Sequence, residues 1–260
     1  MKPYLSIVIP AYNEAKNFRD GLLKPAIDYL AKQKYTFEVL FVNDGSTDDT
    51  EKLLTALVRL KNKTGKEYKL LTILHGGKAA AVTAGMLAAE GKVILFTDFD
   101  QSTPLSMVGK FLEAHKNKAD VVIGVRGHEG SLKNDTLVRK IRSWAFVTLV
   151  QIVALPGIKD TQCGFKSFKN NAAKKIFSSL LVSKAKKISG GYMGAFDVEV
   201  LFLAGKYGYK IIQVSVDWTK ILSEKLNVWK EPLMMAIDTF KVRLYDLLGK
   251  YDHYPNPATN

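Results

Sequence analysis

"LFTDFDQSTP", residues 95–104, carries an apolar run straight into two carboxylates, Asp98 and Asp100, with one aromatic residue between them and Pro104 close behind. With the preceding "KVI" the run is nearly continuous in Val, Ile, Leu and Phe, the pattern of a strand buried on both faces. The next segment reads as a helix beginning at Pro104, a residue suited to the first helical position. A helix start needs an acceptor side chain ahead of it, and Ser102 and Thr103 stand nearest to Pro104 for that task. Asp98 and Asp100 are then left without a structural duty. In an apolar pocket, like charges this close oppose each other's ionisation unless a cation lies between them. Their hard oxygens suit Mg2+ or Mn2+, ions that keep coordination positions for substrate phosphates.

The same strand-then-helix unit recurs on either side. "LSIVIP" (5–10), "FEVLFV" (37–42), "YKLLTIL" (68–74), "KVILFT" (92–97) and "ADVVIG" (119–124) read as strands, with helical patterns near 14–33, 48–62, 79–90 and 104–116 between them. Such alternation predicts an α/β fold: right-handed crossovers and a mostly parallel sheet with helices on both faces. Ligands of such sheets bind outside the carboxyl ends of the strands. The polar clusters Asn13-Glu14, Asn43-Asp44-Gly45-Ser46, Gly76-Gly77-Lys78 and Asp98-Phe99-Asp100 all fall there. After residue 125 the pattern changes to a basic, glycine-bearing segment. An apolar amphipathic stretch at 141–158 comes next, then the irregular "KDTQCGFKSF" (159–168). Helices near 170–182 and 194–207, a strand at 210–218 and a last helix near 230–248 complete the reading. Residues 1–220 form one expected catalytic domain, with 221–260 a C-terminal helix and tail packed on it or extending from it.

The chain has 260 residues, 47% hydrophobic, with 38 Lys and Arg against 25 acidic residues and a formal charge of +13. This content supports a buried core. The charge favours polyanionic partners: nucleic acid, an anionic membrane surface or phosphorylated substrates. Nucleic acid falls behind, because neither zinc-finger spacing nor an aromatic RNA-binding motif is present. One cysteine, Cys163, excludes an internal disulfide framework and suits a reducing compartment. It reads as a small buried residue, since no activating histidine stands in a recognisable motif. No apolar stretch reaches the roughly 18 residues of a spanning helix. The expected location is cytoplasmic, peripheral on the cytoplasmic face of a membrane, with the basic-flanked segment around 139–155 as a candidate surface helix.

"VNDGSTDDT" (42–50) reads as a strand end, a tight turn and a helix start, with Gly45 free to take a positive φ and Ser46 or Thr47 as the cap. Asp44 precedes the cap, and its carboxylate is expected to accept from a base or ribose. Together, "SIVIPAYNE", "VNDGSTDDT", "GKAAAVTAG", the Asp-x-Asp of "FTDFDQST" and "DTQCGFKSF" resemble family 2 glycosyltransferases of the GT-A fold. Within that family they are similar to the dolichyl-phosphate or polyprenyl-phosphate sugar synthases, mannose synthases among them. "DTQCGFK" is most like the β-glucosyltransferase branch. The likeness spans roughly residues 3–220.

The resemblance implies an inverting enzyme that moves a hexose, glucose from UDP-glucose in the first instance, onto a polyprenyl or dolichyl phosphate. Pro10, Ala11, Tyr12 and Glu14 are expected to line the nucleotide pocket and Asp44 to read the base. Lys78 is expected near the nucleotide, Asp98 near ribose and metal, and Asp100 as the direct metal ligand. Arg126 and Arg139 match arginines that hold the acceptor phosphate. Where relatives carry Gly-Lys-Gly-Gly, this chain has Gly77-Lys78-Ala79-Ala80. The alternative is another sugar, mannose or an N-acetylhexosamine, moved to a glycan or protein hydroxyl. That acceptor needs a general base, for which Asp160, Asp197 and Glu199 are the candidates. Asp197 and Glu199 read individually as caps or surface charges.

Overall fold

The computed structural model describes residues 2–62, 66–127, 151, 153–183, 196–219 and 230–252. Seven strands form one sheet: β1 (Leu5–Ala11), β2 (Phe37–Asn43), β3 (Glu67–Thr72), β4 (Val93–Phe96), β5 (Val121–Arg126), β6 (Lys166–Lys169) and β7 (Ile211–Val216). Their order is β3-β2-β1-β4-β6-β5-β7. All neighbours run parallel except β6, which is antiparallel to both β4 and β5. Every residue of β1, β2 and β4 is buried, in keeping with their nearly continuous apolar sequences, and the buried Glu38 of β2 is bonded to the Ser6 hydroxyl and Lys69.

Side chains alternate across the sheet and build two cores. Val8, Leu40, Val42, Ile94 and Phe96 point into one, against α4 (Lys78–Ala88), α6 (Asn170–Ser178) and α7 (Phe196–Lys206). Leu5, Ile7, Ile9, Val39, Phe41 and Leu95 point into the other, against α2 (Lys24–Ala31), α3 (Thr50–Asn62) and α5 (Val108–Lys116). The helical pattern at 14–33 is divided into α1 (Ala15–Arg19) and α2 because Gly21 adopts φ 78° and Pro25 opens the second helix. The pattern at 104–116 begins with a 3-10 turn, Leu105–Met107. A last helix, α8 (Lys230–Leu247), packs on α7. Among the described residues no helix is long and apolar enough to cross a membrane.

Two readings need correction. "KSFK" (166–169), read as part of an irregular piece, is strand β6. Its ladder to β4 and β5 comes from residues distant in sequence, so a four-residue strand leaves little local pattern. Asp197 and Glu199 are not surface charges: every residue from Phe196 to Ala204 is buried. Glu199 accepts the backbone amides of Leu181 (2.7 Å), Val182 (2.9 Å) and Ser183 (2.9 Å), the Ser183 hydroxyl and the Tyr251 hydroxyl (2.8 Å). One carboxylate thus ties the segment after α6, helix α7 and the chain beyond α8 together. Glu199→Ala is expected to cost about 3 kcal/mol or more, because three amides and two hydroxyls lose their acceptor inside the core. Tyr251→Phe removes one bond and is expected to cost about 1 kcal/mol. Chemical denaturation checks both, and equal losses would contradict this assignment of roles.

Candidate active site

The carboxyl ends of β1 and β2 are laced together. Asn13, at φ 54°, accepts the Thr47 amide (2.8 Å) and donates its own amide to the Ser46 hydroxyl (3.0 Å), while the Glu14 amide meets the Thr50 hydroxyl (2.7 Å). Ser46 and Thr47 therefore serve β1, and the acceptor ahead of α3 is Asp48, whose carboxylate accepts the Thr50 amide (2.9 Å). Pro10 and Ala11 are buried within β1, whereas Tyr12 is 43% exposed. The Asp44 carboxylate is not free as expected. Buried, it accepts the amides of Gly76 and Gly77 (both 2.8 Å) and lies 2.9 Å from His75 Nδ1. The His75 ring stacks on Tyr12, centroids 4.2 Å apart. Gly45 is required here, since it adopts φ 65° and an added Cβ would lie 2.9 Å from the His75 nitrogen. Asp44 thus shapes the loop that leads into α4 and Lys78.

Lys78, the first residue of α4, forms an ion pair with Asp98 at the end of β4. Burial works against its ammonium, but Asp98, Asp197 and Asp100 outweigh it and hold the pKa above the ordinary lysine value. Asp100 Oδ1 accepts the Ser102 amide (2.9 Å), and Gln101, at φ 55°, donates its side-chain amide to the Asp98 carbonyl. No side-chain cap precedes the 3-10 turn, so the duty assigned to Ser102 and Thr103 is not used, and the bond from the Ser102 amide to Asp100 closes a turn ahead of it. Glu14 faces both aspartates. Burial raises its pKa, the Asn17 amide opposes that, and the charges of Asp100, Asp98 and Asp48 raise it further. Negative charge here exceeds what Lys78 offsets, which fits a divalent cation. Among the described residues no three His, Cys, Asp or Glu close around a cation. The carboxylates of Asp98 and Asp100, completed by phosphate oxygens and water, would make a donor set suited to Mg2+ or Mn2+.

At the end of β5, Arg126 donates to Asp160 through Nε (2.7 Å) and Nη2 (2.9 Å), and its guanidinium lies over Trp218. Asp160 also accepts the amides of Arg126, Gln162 and Cys163. It is a buried counter-ion, not an open base. Although burial pushes its pKa up, the bonds and charge of Arg126 hold it below the ordinary carboxylate value. Cys163 is buried and its thiol is pushed up by that burial, in keeping with a structural residue. Lys166, which sequence reasoning missed, is fully buried and donates to Asp197 and to the Cys163 carbonyl (both 2.5 Å). A lysine between Phe165 and Ser167-Phe168 gave no signal of this role. Arg139 and most of 141–158 lie outside the described residues.

Gly164 lies directly beneath Asp98: an added Cβ would be 1.9 Å from the Asp98 Oδ2. Gly164→Ala is expected to displace the Asp98 carboxylate and weaken metal-dependent nucleotide binding at least about tenfold, roughly 1.4 kcal/mol, with calorimetry as the readout. Unchanged affinity would separate Asp98 from the nucleotide site. Arg126→Ala is expected to cost about 3–5 kcal/mol by leaving Asp160 uncompensated, and the Arg126→Gln/Asp160→Asn pair less. Because the folded pKa of Asp160 is depressed, the pair's contribution is present above the ordinary carboxylate value of about 4 and fades as pH falls through the folded one. Denaturation series against pH check this.

The family model described as glycosyl transferase family 2 matches residues 6–177. Among curated proteins, the dolichyl-phosphate beta-glucosyltransferase of Dictyostelium discoideum is 33% identical over 259 residues, covering 95% of this chain and 76% of its own. Its namesakes in Homo sapiens and Saccharomyces cerevisiae are 32% and 33% identical, over 95% of this chain and 77% and 76% of theirs. Among solved structures, mannosyl-3-phosphoglycerate synthase from Rubrobacter xylanophilus superposes with TM-score 0.62 at 16% identity, covering 99% of this chain and 79% of that one. A mannosyltransferase from Pyrobaculum calidifontis, in complex with GDP-Man and Mn2+, gives 0.54 at 15% identity over 99% and 78%. These structures share the GT-A fold with the sheet described above. The sequence motifs, the fold and the family match agree: this chain is a glycosyltransferase and belongs to glycosyl transferase family 2.

Proposed function

We propose that the chain transfers glucose from UDP-glucose to dolichyl phosphate with inversion at the anomeric carbon. The observation that carries this reading is the similarity of 95% of the chain to enzymes named for dolichyl-phosphate β-glucosyl transfer. The geometry is compatible with it at both ends of the reaction.

At the donor end, Tyr12 and the Asp44-ordered loop 75–77 border the nucleotide, and Glu14, Lys78, Asp98 and Asp100 face the diphosphate. Mg2+ or Mn2+ held by Asp100, with Asp98 beside it, would neutralise charge on the departing diphosphate. Lys78 keeps Asp98 in place and adds a fixed cation on the same side. At the acceptor end, Asp160 orients Arg126, and Arg126 with Arg139 positions the acceptor phosphate. A phosphate monoester, second pKa about 6, is already largely dianionic at neutral pH. Its oxygen attacks the anomeric carbon in line, the bond to the nucleoside diphosphate breaks, and no general base is needed. A hydroxyl acceptor would need one, and Asp160, Asp197 and Glu199 are all engaged in bonds to other groups of the chain. The alternative acceptor therefore finds no available base among these three. The catalytic unit is residues 1–220, working peripherally at the cytoplasmic face of a membrane.

Purified protein offered dolichyl phosphate with labelled UDP-glucose, GDP-mannose and UDP-N-acetylglucosamine is expected to label lipid from UDP-glucose, and chelation of divalent ions is expected to stop it. Asp100→Ala is expected to lower turnover about a hundredfold or more, near 2.7 kcal/mol, with an unchanged thermal melt. Labelling from another donor would reassign the sugar. Transfer to a soluble hydroxyl instead of the lipid would remove the acceptor assignment.

A further inference from the structure

Helix α8 turns an apolar stripe to solvent. Ile237 is 45% exposed, Phe240 53%, Leu244 52%, Leu247 76% and Leu248, one residue past the helix, 59%. Steps of three, four and three residues put them within about a third of the helix circumference. The opposite side is the packed one: Asp238, Thr239 and Val242 are buried, and Met235 and Tyr245 pack against the core that contains α7. Contiguous exposed apolar surface of this kind on a folded chain marks an interaction face.

The charges along the stripe select the partner. Lys241 stands on it and is exposed, Arg243 flanks it, and Lys250 stands just beyond. The acids of the helix's described side chains are turned away: Asp238 is buried, and Asp246 pairs with Lys206 (2.7 Å) and Arg243 (2.8 Å). The exposed arc thus joins bulky apolar side chains to cations and carries no carboxylate. A two-fold contact with a second copy would set this face against itself and leave its cations opposite cations. An anionic lipid surface answers both features, burying the apolar groups at the acyl boundary while headgroups meet the cations.

We propose that the Ile237–Leu248 face of α8 seats the protein on anionic membrane. This inference rests on the reading that the acceptor is a lipid phosphate, and it places the contact on a stretch distinct from 139–155. The test uses the full chain and two vesicle types, phosphatidylcholine alone and phosphatidylcholine with phosphatidylserine. The wild type is expected to co-sediment with the anionic vesicles, less so at high salt. Phe240→Asp/Leu244→Asp is expected to lower that partitioning at least about tenfold, and Lys241→Glu severalfold, with thermal melts and UDP affinity unchanged. Wild-type partitioning by the double variant, or no binding by the wild type, overturns the proposal. So does a concentration-dependent dimer in velocity sedimentation that the double variant abolishes, which would identify a second copy as the occupant. Glucose transfer to a detergent-dispersed short-chain polyprenyl phosphate tests the catalytic reading separately, since it needs no membrane contact.

Discussion

An antiparallel strand inserted between parallel ones enters the sheet at the edge where its neighbours leave it. Strand β6 does this between β4 and β5, and the contacts of the 160–164 segment depend on it. Because Lys166 pairs with Phe96 and Ile123, the segment before it arrives at the carboxyl ends of β4 and β5. Asp160 thereby meets Arg126, and Gly164 comes under Asp98. Lys166 itself reaches Asp197 at the start of α7. With a parallel strand in that place, "DTQCG" would lie at the opposite edge, far from Asp98 and Arg126.

Burying charge demands a partner for each ion, and this edge of the sheet meets that demand by cross-linking elements. Lys78 on α4 pairs with Asp98 just past β4, Arg126 on β5 with Asp160, and Lys166 on β6 with Asp197 on α7. Asp44 is satisfied by the amides of the 76–77 turn. Each pair fixes the end of one element to another, so loops after four different strands share one rigid arrangement. The charge not offset is concentrated on Asp100 and Glu14, where a cation-bearing diphosphate would compensate it.

The opposite demand governs α8. An apolar helix face facing water is unfavourable by the hydrophobic effect, and the core accepts only the other side of that helix. Of the acids whose side chains are described on α8, Asp246 pairs with Lys206 and Arg243 and Asp238 is buried, which leaves the outward face cationic and apolar together. Tyr251, just past the helix, returns to Glu199 and closes the C-terminal segment onto the same core.

The sequence alone carried the parallel part of the fold, because strands buried on both faces are nearly continuous in apolar residues, and β1, β2 and β4 are written that way apart from Ser6, Glu38 and Asn43. It also carried the strand-end position of Glu14, Asp44, Lys78, Asp98 and Asp100, since polar clusters ending apolar strands are locally visible. What each of those side chains does was decided by tertiary structure. Asp44 looked free because its partners, the 76–77 amides, come from another loop. Asp160 looked like a base because its arginine lies 34 residues away. Glu199 looked like a surface charge because its five donors come from 181–183 and 251. Strand β6 left no periodic signal in four residues, for a strand's partners, not its own pattern, make the ladder. Local sequence determines where a polar group emerges from the sheet; only the folded chain determines which opposite charge or amide it finds there.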